Sequence, residues 1–333
     1  MSYFKKYCFY LFLMTSWVSK PNSVKGQNPY FNQGTIIRQL NNPALLGMGR
    51  FDINPASRIS TNIQAQWLSL ERRLVTNAIE GDIIANNNTS FGINLYSTDL
   101  FSGTNNNSSY KHFSTGLSYC YSIKLKNGNL NLALNGQFSN FNFGTDNFLW
   151  EDQIDPGMTG FELPTKEPIN QLTINAVHFS AGVLYHNKNL FLGGAVFNIN
   201  QPNISFYNQN NQKIQSRFVV NGGMVFETKR LIIIPNVICY LQGDNFTISE
   251  NLNFRKGNIY YGLGFKQNTA FGQVAHSING NFGYRKGSWF FNYSNNVNLT
   301  IRVANNPMTH ELGICYLLPS SSKKQTSLYL PTE

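Results

Sequence analysis

The chain has 333 residues, of which 14% are aromatic and only 13% charged, with 26 basic against 16 acidic side chains and a formal net charge of +10. That excess is spread along the chain rather than blocked, which excludes a nucleic-acid module and suits acidic polymers or lipid headgroups as counterparts. Beyond the N-terminus no apolar run approaches the ~20 residues of a spanning helix, so any membrane-embedded part must be built from strands.

At the N-terminus, Lys5 and Lys6 precede an apolar stretch over 7–18, with polar residues and the small Gly26 behind it. This is the order of a secretory signal peptide, residues 1–26, cleaved between Gly26 and Gln27. A short buried helix is the competing reading, and the flanking lysines weigh against it. Cys8 has no small-residue lipobox around it, so a lipoprotein anchor is not expected. Cleavage removes Lys5, Lys6, Lys20 and Lys25 and lowers the formal charge from +10 to +6. Cys120, Cys239 and Cys315 remain, far apart and odd in number, without metal-site or disulfide-framework spacing. Residues 27–57, with "NNPALLG" at 41–47 and "NPAS" at 54–57, show no sustained alternation. They are expected to form an N-terminal periplasmic segment that either plugs the interior of the β-rich region C-terminal to it or docks a partner; a disordered leader is the other reading.

From about Arg58 to Leu318 the pattern has period two. In "YKHFSTGLSYCYSI", Phe113, Thr115, Leu117, Tyr119, Tyr121 and Ile123 share one face, opposite Ser114, Gly116, Ser118, Cys120 and Ser122. One face is apolar or aromatic; the other is Ser, Gly, Asn and Gln with few charges. A sandwich or lipocalin-like barrel would show a charged outer face instead, whereas a barrel with lipid outside and a hydrated or plugged interior needs this split. Segments near 58–69, 73–83, 89–98, 110–123, 129–141, 174–186, 189–199, 216–227, 230–241, 244–255, 257–267, 273–284, 287–297 and 308–318 give roughly fourteen strands, an even count as outer-membrane barrels have. Trp67, Tyr96, Trp150, Tyr207 and Trp289 lie near strand ends, where interfacial girdles belong. Pro235 weakens one strand. Short turns on one side and long loops on the other (99–109, 142–173, 200–215) complete an all-β, transmembrane antiparallel outer-membrane barrel over residues 58–318, followed by a polar tail at 319–333. In hydrocarbon such a sheet must close, since an open edge leaves backbone groups unsatisfied.

The longest loop begins with "EDQIDPG", three carboxylates in five residues of an acid-poor chain. Glu151, Asp152 and Asp155 suit calcium by type but lack the Asp-x-Asp-x-Asp-Gly spacing, so no metal site is assigned; turn formation around Pro156–Gly157 or partner docking is preferred. His112, His178, His186, His276 and His310 all lie in or at the ends of strands, without a GxSxG elbow, and alternation sends His310 and Glu311 to opposite faces. No catalytic residue and no cofactor is assigned, and the chain is read as non-enzymatic.

Taken in order, the motifs resemble the PorP/SprF family of outer-membrane proteins of the type IX secretion system of Bacteroidetes. Gln27, Asn28, Pro29, Phe31, Gln33, then Asn42, Pro43, Ala44 and Gly47 look like that family's opening; "QAQW" ending at Trp67 looks like its Arg-x-Gln-Trp strand without the Arg. "HFSAGVLYHN", "NQPNISFY", "EDQIDPG" and "THELGICYLL" stand at plausible spacing, and "YSNNVNLT" lacks the family's Asp. The resemblance implies a non-enzymatic partner of the type IX apparatus, supporting export or surface attachment of a large adhesin cargo and in places gliding motility. Its expected partners are apparatus subunits, that cargo and the lipid bilayer, through Gln33, Asn42, Pro43, Gln66, Trp67, Asp152, Gln153 and Asp155. A porin or small-solute or fatty-acid channel shares every barrel feature and is the alternative.

Overall fold

The computed structural model describes residues 31–34, 36–48, 55–68, 73–86, 88–101, 108–144, 173–206, 212–270, 273–300 and 308–319. The expected strands form: β1 (Pro55–Gln66), β2 (Arg73–Ile84), β3 (Thr89–Phe101), β4 (Ser108–Leu125), β5 (Gly128–Phe143), β6 (Thr173–His186), β7 (Leu190–Phe197), β8 (Arg217–Met224), β9 (Ile232–Gln242), β10 (Asn245–Lys256), β11 (Ile259–Ala270), β12 (Gln273–Lys286), β13 (Trp289–Asn298) and β14 (Met308–Pro319). Each pairs antiparallel with its sequence neighbours, and β1 pairs with β14 from Pro55↔Pro319 to Gln66↔Thr309, so the sheet closes on itself as a fourteen-stranded barrel.

Pro235 has a local explanation. After Met224, β8 resumes as Phe226–Glu227, and its ladder with β9 is interrupted at Met224 and Val225, opposite Pro235 and Ile234. The residue that cannot donate to a ladder sits where no ladder bond to β8 is formed.

At one end the connections are short: 85–88, 126–127, 187–189, 228–231, 257–258 and 287–288. Gly257 and Gly287 take φ of +60 there, the left-handed conformation that two-residue hairpins require. The long connections 144–172 and 198–216 lie at the other end. Outer-membrane barrels keep short turns on the periplasmic side, which places the start of β1 and the end of β14 there as well.

The two faces follow the alternation. Ile59, Leu117, Leu134, Phe179, Leu192, Leu263, Phe282 and Leu312 point outward and are exposed, Leu117 by 68%. Ser60, Asn62, Asn94, Ser114, Asn131, Asn135 and Ser139 point inward and are buried. Near the short-turn rim Tyr121, Tyr261, Tyr284 and Trp289 are exposed, and Trp289 stacks on Phe291. Tyr96 departs from the girdle expectation: its ring faces the lumen, 5% exposed, its hydroxyl 3.4 Å from His112 Nε2, because its strand position has inward parity. Trp150 and Tyr207 lie outside the described residues.

What buries the inward side chains is the chain itself. Residues 31–34 and 36–48 run through the lumen as an irregular segment that includes a 3-10 turn at Pro43–Leu45. Phe31, Ile36, Ile37 and Leu40 pack with Ala78, Tyr260, Phe290, Cys315 and Leu317, while Leu45, Leu46 and Met48 pack with Cys120, Leu184, Phe191 and Ile234. Cys120 and Cys315 are free thiols, the first among apolar side chains and the second also beside Arg58.

Outward Leu117 sits at mid-strand. Leu117→Arg should lower the free energy of folding into lipid vesicles by about 2–4 kcal/mol, and Leu125→Arg, next to the turn, by about 0–1 kcal/mol, in equilibrium denaturant titrations. Equal costs at both sites would contradict the assignment of this face to lipid.

Candidate functional site

The segment over 31–48 satisfies part of its backbone itself: short turns take the Ile36, Ile37, Asn41, Asn42, Leu45, Leu46 and Met48 N–H groups, and Asn41 Nδ2 donates to Gly34 O and Ile37 O. The N–H groups of Asn32, Gln33, Arg38, Leu40 and Gly47 and the carbonyls of Ile36, Leu40 and Ala44 look to the wall. Buried main-chain groups need partners, and the barrel supplies them from side chains with inward parity.

Two carboxylates act as clamps. Glu311 on β14, wholly buried, accepts the backbone N–H groups of Asn32 at 2.7 Å and Gln33 at 3.0 Å and the Gln64 Nε2 amide at 2.6 Å. Glu80 on β2, also wholly buried, accepts the N–H groups of Arg38 at 2.7 Å and Leu40 at 3.1 Å. Arg58 on β1 lies between the acids: its Nη2 is 3.4 Å from Glu80, its Nε 3.2 Å from Asp82, and its Nη1 donates to Ile36 O at 2.8 Å. Asp82 then accepts Gly47 N–H. A buried charge is tolerable when it is paired or well supplied with hydrogen bonds; Arg58 pairs with Glu80 and Asp82, and Glu311 is answered by three neutral donors. On the far side Arg217 Nη2 donates to Leu40 O at 2.6 Å, its guanidinium 4.3 Å over the Phe197 ring. Burial, with Arg58 adding like charge, lowers the Arg38 guanidinium to about 9, so it stays a cation at neutral pH.

Amides complete the grip. Asn42 Oδ1 caps the 3-10 turn by accepting Ala44 N–H, and its Nδ2 donates to Asn221 Oδ1 at 3.0 Å and Val183 O at 3.2 Å. Gln39 Nε2 donates to Gly81 O and Ile93 O, and Gln33 Nε2 to Glu311 O and Ser294 Oγ. The wall is thinned where the segment presses on it. A Cβ at Gly182 would collide with Asn42 Oδ1, one at Gly92 with Leu46, and one at Gly313 with Gln33 and Ile36.

Gln33, Asn42 and Pro43 are therefore buried in the lumen and engaged with the barrel wall. Gln66 and Trp67 stand apart from them at the outer end of β1. There Gln66 Nε2 bonds Gln64 Oε1 at 2.8 Å and Trp67 takes φ 58. Asp152, Gln153 and Asp155 lie outside the described residues, as do the signal peptide and residues 320–333 of the expected tail, Pro319 being the last residue of β14. Sequence reading passed over Arg58, Glu80, Asp82 and Glu311 as a set; the available signal was charge at inward strand parity in a charge-poor chain.

One further constellation was not expected. His178 Nε2 is 2.6 Å from Ser139 Oγ and its Nδ1 2.9 Å from Asn198 Oδ1, with Asn198 held at φ 56. The connectivity resembles an acyl-transfer triad. Ser139, however, is 0% exposed and its Oγ also lies 2.8 Å from Ser114 Oγ, which leaves no space for a substrate carbonyl. The group instead ties β5 and β6 to the connection after β7, whose Ile204 and Ile214 pack on Phe141 and Ile174 across the outer mouth.

Glu311→Ala and Glu80→Ala should each destabilise the seated segment by about 3–5 kcal/mol, since buried N–H groups lose their acceptor. Amide hydrogen exchange should accelerate at Asn32 and Gln33 in the first variant and at Arg38 and Leu40 in the second, with ladder amides of β4 and β5 unchanged. Uniform acceleration throughout the barrel would contradict a local clamp.

No curated protein matches the chain. Among solved structures it is similar to Omp33 of Acinetobacter baumannii (7% identity, 80% of this chain and 100% of that one, TM-score 0.47). It is also similar to the Pseudomonas putida toluene transporter TodX (10%, 90% and 96%, 0.45) and a Pseudomonas aeruginosa FadL homologue (11%, 88% and 99%, 0.45). The sequence profile described as "Type IX secretion system membrane protein PorP/SprF" matches residues 23–316. A closed fourteen-stranded barrel with a lipid-type outer face and a match over nearly the whole chain lead to one statement: this chain belongs to the PorP/SprF family of outer-membrane proteins of the type IX secretion system.

Proposed function

We propose that this barrel serves type IX secretion as an anchor and docking surface rather than as a conduit, supporting export or surface attachment of a large adhesin, with gliding motility as one setting for that attachment. The observation that carries the reading is the occupied lumen. Residues 31–48 are fixed to the wall by Glu80, Glu311, Arg58 and Arg217. A cavity of ≈ 80 Å³ lies beside them. A porin needs a continuous polar path, and the seated segment lies across it.

With the lumen taken, partner contacts fall to the two rims. At the outer rim we assign them to Gln66 and Trp67 and to the loop bearing Asp152, Gln153 and Asp155, whose carboxylates and amide suit a basic or amide-bearing partner surface. Gln33, Asn42 and Pro43 act indirectly, by holding the segment that keeps the barrel shut. The signal peptide cleaved after Gly26 delivers the chain to the periplasm in this scheme.

Purification of the tagged full chain from its own outer membrane in mild detergent should co-isolate type IX subunits or a large secreted protein. That recovery should fall at least about tenfold in an Asp152→Ala, Asp155→Ala double variant, the effect of losing about 1.4 kcal/mol or more of contact. In a planar bilayer the intact chain should be silent, and deletion of 31–48 should open a conductance. A solitary barrel that conducts small solutes with residues 31–48 present would return the channel reading to first place.

A further inference from the structure

Between the lumen segment and a wall built mostly from β9–β13 lies a cavity of ≈ 80 Å³. At ~10–15 Å³ per water this holds on the order of six waters, roughly the number a single sugar ring displaces. The far wall is built in a repeating way. On β11 the inward positions are Gly262 and Gly264; Asn253 and Asn281 flank the first, and Asn251 and Asn279 flank the second. A Cβ on either glycine would collide with the carboxamides that lean across it, and Asn281 Nδ2 reaches Asn253 Oδ1 over Gly262 at 2.9 Å. The result is a carpet of amides over a glycine floor.

Two of the lining amides are incomplete. Asn279 is 3% exposed and its Nδ2 has no partner; Asn292 is 6% exposed and its Oδ1 has none. Buried polar atoms left in this state mark where a ligand or ordered water belongs. Phe31 and Tyr240 contribute aromatic rings to the same cavity, and the Tyr240 hydroxyl is committed to Asn41 Oδ1 at 2.8 Å. No carboxylate is among the lining residues, and two cations, Arg38 and Lys266, are. Carboxamides outnumber those charges, so the cavity is chiefly a surface of neutral hydrogen-bonding groups.

We infer that this cavity is a binding site for a neutral polyhydroxylated solute the size of one sugar residue. Carboxamides both donate and accept, as hydroxyl groups do, so neither side leaves a group unanswered. The rings of Phe31 and Tyr240 offer apolar surface to the C–H face of a sugar, and the few placed polar groups fix its orientation. Carboxamides outnumber the two lining cations, so matching hydroxyl groups outweighs matching charge. The site stands apart from the docking reading: it is inside the barrel, and neither requires the other.

The test uses the purified full chain in detergent, titrated calorimetrically with glucose, N-acetylglucosamine and glucose 6-phosphate. One of the neutral sugars should bind one-to-one, more tightly than the phosphate ester. Asn279→Leu should weaken that binding at least about tenfold, because a bidentate-capable amide is lost. The same variant should melt at the temperature of the parent chain or above it, since the amide it removes has an unpartnered atom. Should Asn279→Leu fail to fold, Asn292→Ser replaces it with the same expectation. Absence of saturable heat with both neutral sugars, tighter binding of the phosphate ester, or binding unaffected by these substitutions overturns the assignment, the cavity then holding water alone.

Discussion

An irregular backbone enclosed by a barrel has almost nowhere to send its hydrogen bonds. A helix would satisfy itself and a strand would use a neighbour; residues 31–48 satisfy only part of their backbone through short turns, and the N–H and C=O groups left over call for side chains on the wall. Glu311, Glu80, Arg58, Arg217 and Asn131 answer that requirement, and their burial is intelligible only through it. Remove the segment and these groups lose the backbone partners it gives them, while Arg58 keeps Glu80 and Asp82. Keep it, and the interior is a polar core whose parts position one another.

The same constraint shapes the wall. Close approach of two backbones demands absent side chains, and Gly92, Gly182, Gly193 and Gly313 stand where Leu46, Asn42 and Gln33 come nearest. These glycines cost the strands some intrinsic propensity. They are offset by the contacts they admit, so the barrel and its filling are one unit rather than a pore with a removable stopper. For a secretion-system component this shifts attention from transport through the lumen to the surfaces at its rims.

Much of this was legible in the sequence, for a physical reason. Strand faces alternate strictly, so "YKHFSTGLSYCYSI" declares which residues meet lipid, and Leu117 and Ser118 fall on the sides that the pattern assigns. Strand limits came within a few residues because turns such as "RKG" need their glycine. Tyr96 was misread because proximity to a strand end says nothing about side, while parity does. The lumen segment had no period to betray it. Its partners lie far away in sequence, Asn32 on Glu311 being 279 residues apart, and a charge on an inward strand position looks the same alone or in a network. The Ser139–His178–Asn198 contact was illegible for the same reason: three strands and a loop must close before those side chains meet.

Strand β14 has two tasks that are elsewhere separate. Its ladder with β1 seals the sheet, and its Glu311 fastens Asn32 and Gln33. The first described residues of the chain are therefore secured by nearly the last. Closure of so long a loop is entropically costly and slow. A chain that stops short of β14 lacks both the seam and the clamp on Asn32 and Gln33. Sealing the wall and fastening its filling thus depend on the same strand.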